Sequence, residues 1–190
     1  MVTQLRRRMR SCLSVAILTV MHSGAGLAQG LPPPPVGTGL QIAGKNLVAE
    51  AARLAGVRQC MAGISRLSSQ AIEGSMAHDL LVDRQPKDPD GSAFFSMIGV
   101  QLKDSAFATS IAAIPERDGS CTLMAERIVS APSTCAEVAK AELQGYRRTA
   151  LLPHFNVYNS PQDIGSTVSL LDAGSTCMVI RRYVKFGWRP

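Results

Sequence analysis

At 190 residues, with 46% hydrophobic side chains, the chain is long enough to build one domain with its own core. Its formal net charge of +6 comes from 20 basic and 14 acidic residues, a balance that on its face points to a nucleic-acid partner. The surplus is local, however: all 14 acids lie beyond residue 28, while Arg6, Arg7, Arg8 and Arg10 precede it, so residues 29–190 carry only +2 and nucleic-acid binding loses its support.

Residues 1–28 read as an export signal. Four arginines without an acid open it, an apolar run from Cys12 to Met21 follows, and small residues close it, with Gly26 and Ala28 at the positions a signal peptidase reads. Cleavage is expected before Gln29. The apolar run falls short of the roughly 20 residues that a permanent membrane span needs, so no transmembrane anchor is expected after cleavage. The expected location is periplasmic or secreted.

Export also sets the cysteine chemistry. Cys12 leaves with the signal, and Cys60, Cys121, Cys135 and Cys177 remain. An even number in an oxidising compartment implies two disulfides. A four-cysteine zinc site is disfavoured because no two of them form the close C-x-x-C type of pair. No metal and no cofactor is expected.

Residues 29–43 form a proline- and glycine-rich tether, in which four consecutive prolines favour an extended rod. Gly39 to Lys45 matches G-x-x-x-x-G-K, but Asn46 stands where the magnesium-binding Ser or Thr belongs. Prolines occupy the place of the preceding strand, so the match reads as chance. The folded domain is placed at 44–190.

From Lys45 to about Met76 the spacing is helical. Leu47, Ala51, Leu54, Val57, Cys60, Ile64, Leu67 and Ala71 recur at gaps of three and four, with Gly56 and Gly63 marking a kink or a close contact. Residues 83–91 form a polar loop. Its Asp83, Asp88 and Asp90 lack the glycine and glutamate of a calcium loop and read as solvated turn.

Strands are expected at 94–102, 105–114 and 120–129, with a hairpin at Glu116-Arg117-Asp118-Gly119. A second helix is expected from Cys135 to Tyr146, capped by Ser133 or Thr134. Residues 149–158 read as an edge strand bent at Pro153. A final hairpin joins 164–171 to 176–186, with Met178, Ile180, Val184 and Phe186 on one side and Arg181, Tyr183 and Lys185 partly outward.

The stretches 119–129 and 174–184 echo one another. Each follows a turn, opens a strand with a cysteine, and comes after a helix holding another cysteine. The echo fits two copies of a helix-then-strands unit, and equally two hairpins with similar turn chemistry. Under the first reading the disulfides run helix to strand, Cys60–Cys121 and Cys135–Cys177. Direct Cys121–Cys135 pairing is disfavoured, since a strand between them spans roughly 30 Å. Cys60–Cys135 with Cys121–Cys177 is the alternative. The expected fold is α+β, two helices packed on an antiparallel sheet.

No G-x-S-x-G, S-x-x-K or H-E-x-x-H occurs. The catalytic candidates are His78 with Asp79 and Asp83, and His154. They define a rival expectation, a small secreted hydrolase using His78 or His154 with nearby carboxylates. The preferred expectation is a non-catalytic exported protein that binds an envelope polymer or protein. Its best surface is the C-terminal interleaving of Arg181, Arg182, Tyr183, Lys185 and Trp188, since arginine and tryptophan often anchor interfaces.

Overall fold

The computed structural model describes residues 46–190; the expected export signal, the expected tether up to residue 43 and the G-x-x-x-x-G-K stretch lie outside the described residues. The fold is α+β and mostly sheet. The helices are α1 (Leu47–Ala55), α2 (Met61–Ile72) and α3 (Cys135–Glu142). The strands are β1 (Ala77–Arg84), β2 (Phe94–Gln101), β3 (Ala106–Pro115), β4 (Cys121–Ala131), β5 (Arg147–Leu152), β6 (Phe155–Asn159), β7 (Ser166–Ala173) and β8 (Thr176–Trp188). They make one eight-stranded antiparallel sheet in the order β1-β2-β3-β4-β8-β7-β6-β5. Each half is a four-strand meander, and β4 meets β8 in the centre. No helix among the described residues is long and apolar enough to cross a membrane.

The single helical stripe expected over 45–76 is two helices, followed by a short turn that leads into β1. Gly56 ends α1 in the left-handed conformation, with its N–H donating back to Ala52 and Arg53 carbonyls. The turn that follows is held by Asp90, whose Oδ1 accepts from the amides of Arg58 (2.7 Å) and Gln59 (2.8 Å). The break shifts the buried face by one residue: Val48 and Ala52 point inward, while Leu54 is 72% exposed. Thus Asp90 supports the helix turn, and among the described residues no acidic cluster could hold a metal. Past α2, residues 77–84 pair with β2, so His78 and Asp79 lie in a strand and not at a helix end.

Alternation along β2 drives the sheet onto its helices: Phe94, Ser96, Ile98 and Val100 are buried while Phe95 and Met97 are exposed. Burying side chains such as Phe94, Ile98, Ile111 and Leu123 stabilises by about 2 kcal/mol each. Together with Val48, Ala52, Ile64 and Leu67 they form the larger core, beneath α1 and α2. A smaller core, Val138, Leu143, Val168, Leu170 and Val179, lies beneath α3, and Val129 packs against both. α3 starts on a capping box, with the Thr134 side chain accepting from Glu137 N and the Glu137 carboxylate accepting from Thr134 N.

Each core carries one disulfide from the beginning of a helix to the beginning of a strand. Cys60 bonds Cys121 with Cα atoms 5.8 Å apart, and Cys135 bonds Cys177 at 4.8 Å. The second bond sets the parity of β8. With Cys177 facing α3, the covered side of that strand carries Val179, Arg181 and Tyr183. Met178 and Phe186, expected to face inward, are 39% and 75% exposed on the other side.

Two further expectations differ in detail. The expected 149–158 strand is two short strands turning at Pro153-His154, and α3 ends at Glu142 instead of reaching Tyr146.

Gly63 is the closest approach of α2 to the sheet. A Cβ there would meet Leu123 Cδ1 at 2.6 Å and Cδ2 at 2.9 Å, and Leu123 is 1% exposed with little room to turn. Gly63→Ala raises helix propensity by about 1 kcal/mol but overpacks the core by about 1–3 kcal/mol, so a net loss is expected. Thermal unfolding checks the sign; a stabilised variant would mean that Leu123 has space.

Candidate functional site

α2 packs on β3 and β4 and α3 on β7 and β8, and a gap is left between the two helices above the centre of the sheet. The gap is a cleft of about 570 Å³. Arg66, Leu67, Gln70 and Ala71 of α2 form one wall. Thr109, Leu123, Ala125, Arg127, Arg181 and Tyr183 form the floor, and Tyr146, Asp163, Val168 and Trp188 complete the rim. The size is that of a small-molecule site, and its lining mixes apolar side chains with about as much polar surface.

Electrostatically the floor is unbalanced. Arg127 and Arg181 are direct partners in the β4–β8 ladder, which sets two guanidinium groups side by side. Arg181 is neutralised by an ion pair with Glu142. Arg127 has no carboxylate partner among the described residues; its guanidinium carbon lies 3.7 Å from the centroid of the Phe107 ring. Partial burial, and after it the Arg181 charge, draws the Arg127 pKa down from the ordinary guanidinium value, although the residue stays charged and open to the cleft. Beside it in register is Thr109, 3% exposed, whose Oγ1 has no hydrogen-bond partner among the described residues. At the rim, Asp163 accepts a hydrogen bond from the Ser166 hydroxyl.

The C-terminal cluster expected from the sequence is divided by the sheet. Arg181, Tyr183 and Trp188 come together at the cleft. Arg182, although it borders the cleft, pairs in register with Glu126; its Nε lies 3.8 Å from that carboxylate, on the face opposite Arg181. Lys185 is exposed and outside the lining. Arg189 holds Asp118 of the β3–β4 hairpin at 2.9 Å.

The two histidines among the described residues are far from one another in the sheet. His78 lies in β1, is 9% exposed and borders a shallow depression with Asp79, Val100 and Phe107. Asp79 is its strand neighbour, so the two side chains leave opposite faces, and Asp79 Oδ1 accepts from the Leu80 amide. Asp83 lies further along β1 on the face of Asp79 and is exposed. His154, in the β5–β6 turn, has Nδ1 3.6 Å from Asp172 Oδ2 with its side chain 83% exposed. Among the described residues no hydroxyl or thiol hydrogen-bonds the His154 imidazole.

Arg66, Thr109, Arg127 and Tyr146 were not singled out by sequence reasoning. For Arg127 a signal existed: it interrupts the inward series Cys121, Leu123, Ala125, Val129 as the one charged residue on that face of β4. Compared with protein-family models, curated proteins and solved structures, the chain matches none of them.

Proposed function

We propose that this chain is an exported, non-catalytic binding protein of the periplasm or extracellular space, which holds an envelope component or a protein partner at the central cleft. The observation that carries the reading is the convergence of Arg181, Tyr183 and Trp188 on one cleft, beside an Arg127 that has no acidic partner among the described residues. Two disulfides accord with an oxidising compartment. The two halves of the sheet further support a chain built from two copies of a helix-then-strands unit. Each is a four-strand meander preceded by helix, and each has its disulfide at the corresponding place.

A pull-down from envelope extract with residues 29–190 tests the reading. A partner captured by the native chain is expected to be lost with Arg181→Ala combined with Trp188→Ala. Capture that survives the double substitution moves the binding surface away from the cleft.

A further inference from the structure

The cleft floor presents an incomplete set of polar groups. Arg127 has an aromatic ring under it and a second arginine beside it, but no anion among the described residues. Two like charges in register cost stability; Glu142 offsets the charge of Arg181, and Arg127 has no such counter-charge among the described residues. The hydroxyl of Thr109, sealed next to Arg127 in the ladder, is likewise without a partner among the described residues. The Thr109 hydroxyl is sealed from the cleft, as is that of Ser96 elsewhere in the sheet, so the group left to meet a ligand is the Arg127 guanidinium, a cation in want of an acceptor.

We infer that the cleft is a site for a small organic carboxylate with an apolar body, Arg127 binding the carboxylate and Leu67, Ala71, Leu123 and Trp188 packing on the remainder. The inference rests on the cleft being the binding site, as proposed above. A planar guanidinium matches a carboxylate with two parallel hydrogen bonds. Beside Arg127 a phosphate dianion fits less well, because Arg181 is already engaged and brings the Glu142 carboxylate with it, while Arg66 stands on the α2 wall and not on the β4–β8 floor. A volume near 570 Å³ accommodates either an aliphatic or an aromatic body of modest size.

Trp188 is the only tryptophan of the chain and lines the cleft, so its fluorescence reads the site directly. Residues 29–190 are titrated with octanoate, 4-phenylbutyrate, inorganic phosphate and octan-1-ol, the last an uncharged counterpart of octanoate. At least one carboxylate is expected to give a saturable change, with octan-1-ol and phosphate about tenfold weaker or worse, since a hydrogen bond to a charged group contributes at least that much. The better of octanoate and 4-phenylbutyrate tells whether the body is aliphatic or aromatic. Arg127→Met, which removes the guanidinium from Phe107 but keeps an unbranched apolar side chain, is expected to abolish the preference for carboxylate over alcohol. Arg127→Lys keeps the charge and is expected to retain part of it, which separates loss of charge from loss of fold.

Equal binding of octanoate and octan-1-ol by the native chain overturns the inference. So does a preference that survives Arg127→Met, or a Trp188 signal unmoved by both carboxylates up to millimolar concentration. Should partner capture depend on Trp188 while neither carboxylate binds, the cleft remains the binding site and only its ligand class is wrong.

Discussion

Gly165→Ala is expected to destabilise the folded chain by roughly 3 kcal/mol or more. Gly165 has φ +100°, and a Cβ there would lie 2.3 Å from the backbone carbonyl oxygen of Val184. That oxygen belongs to the main chain and cannot rotate aside as a side chain would. The Val184 amide also donates to the Gly165 carbonyl at 3.0 Å, tying the two segments together. Relief therefore requires the start of β7 to move off β8, which displaces the Ser166–Tyr183 register pair at the cleft. Gly174→Ala is the control: its φ is also positive, at +70°, but nothing lies within 4 Å of the added methyl. Only the left-handed backbone penalty of about 1–2 kcal/mol is expected there. Denaturant unfolding of both variants decides the matter, and equal losses would refute the steric account.

Removing the Cys60–Cys121 bond is expected to have a comparable effect. The bond closes a sequence separation of 61 residues, for which the loop-entropy relation gives about 4 kcal/mol. Both cysteines are almost wholly buried, at 2% and 1% exposed, inside the larger core. The double substitution Cys60→Ala with Cys121→Ala avoids burying new hydroxyls and should lower the denaturation midpoint in proportion. Cys135–Cys177 closes 42 residues, so its entropic part is only slightly smaller, but it anchors a shorter helix over a smaller core. Its removal should loosen α3 and the Glu142–Arg181 pair more than the N-terminal half. A Cys60/Cys121 variant within about 1 kcal/mol of the native chain would show that the core holds α2 without its tether.

These two sites bear on the cleft in different ways. Gly165 sets the position of its β7 rim, and Cys60–Cys121 clamps the start of α2 to the strand whose inner face carries Leu123, Ala125 and Arg127. Loss of either should therefore weaken ligand response at Trp188 as well as stability. Conversely, Arg127→Met should leave stability close to native while changing recognition, because it removes one member of a like-charged pair and keeps the apolar stem.

Much of the architecture was legible from local pattern. Residue alternation marked β2, β3, β4, β7 and β8, turn chemistry marked the 116–119 hairpin, and Ser133 or Thr134 marked the start of α3, where Thr134 proves to be the cap. Cysteine spacing limited how the bonds could run. These features depend on short-range backbone preference and side-chain period, which a sequence carries by itself.

What the tertiary structure alone decided was which faces meet. Asp90, more than thirty residues away, holds the turn between α1 and α2 that follows Gly56, and so fixes the break that rotates the buried stripe. The Cys177 bond chooses which side of β8 is covered, and so sends Arg181 and Tyr183 toward the cleft and Arg182 to the opposite face. The β4–β8 pairing then sets Arg181 beside Arg127, two residues that no local pattern connects. Long-range pairing and cross-links fix the parity and register of a strand, and a shift of one residue would exchange every side chain between the cleft and the far side.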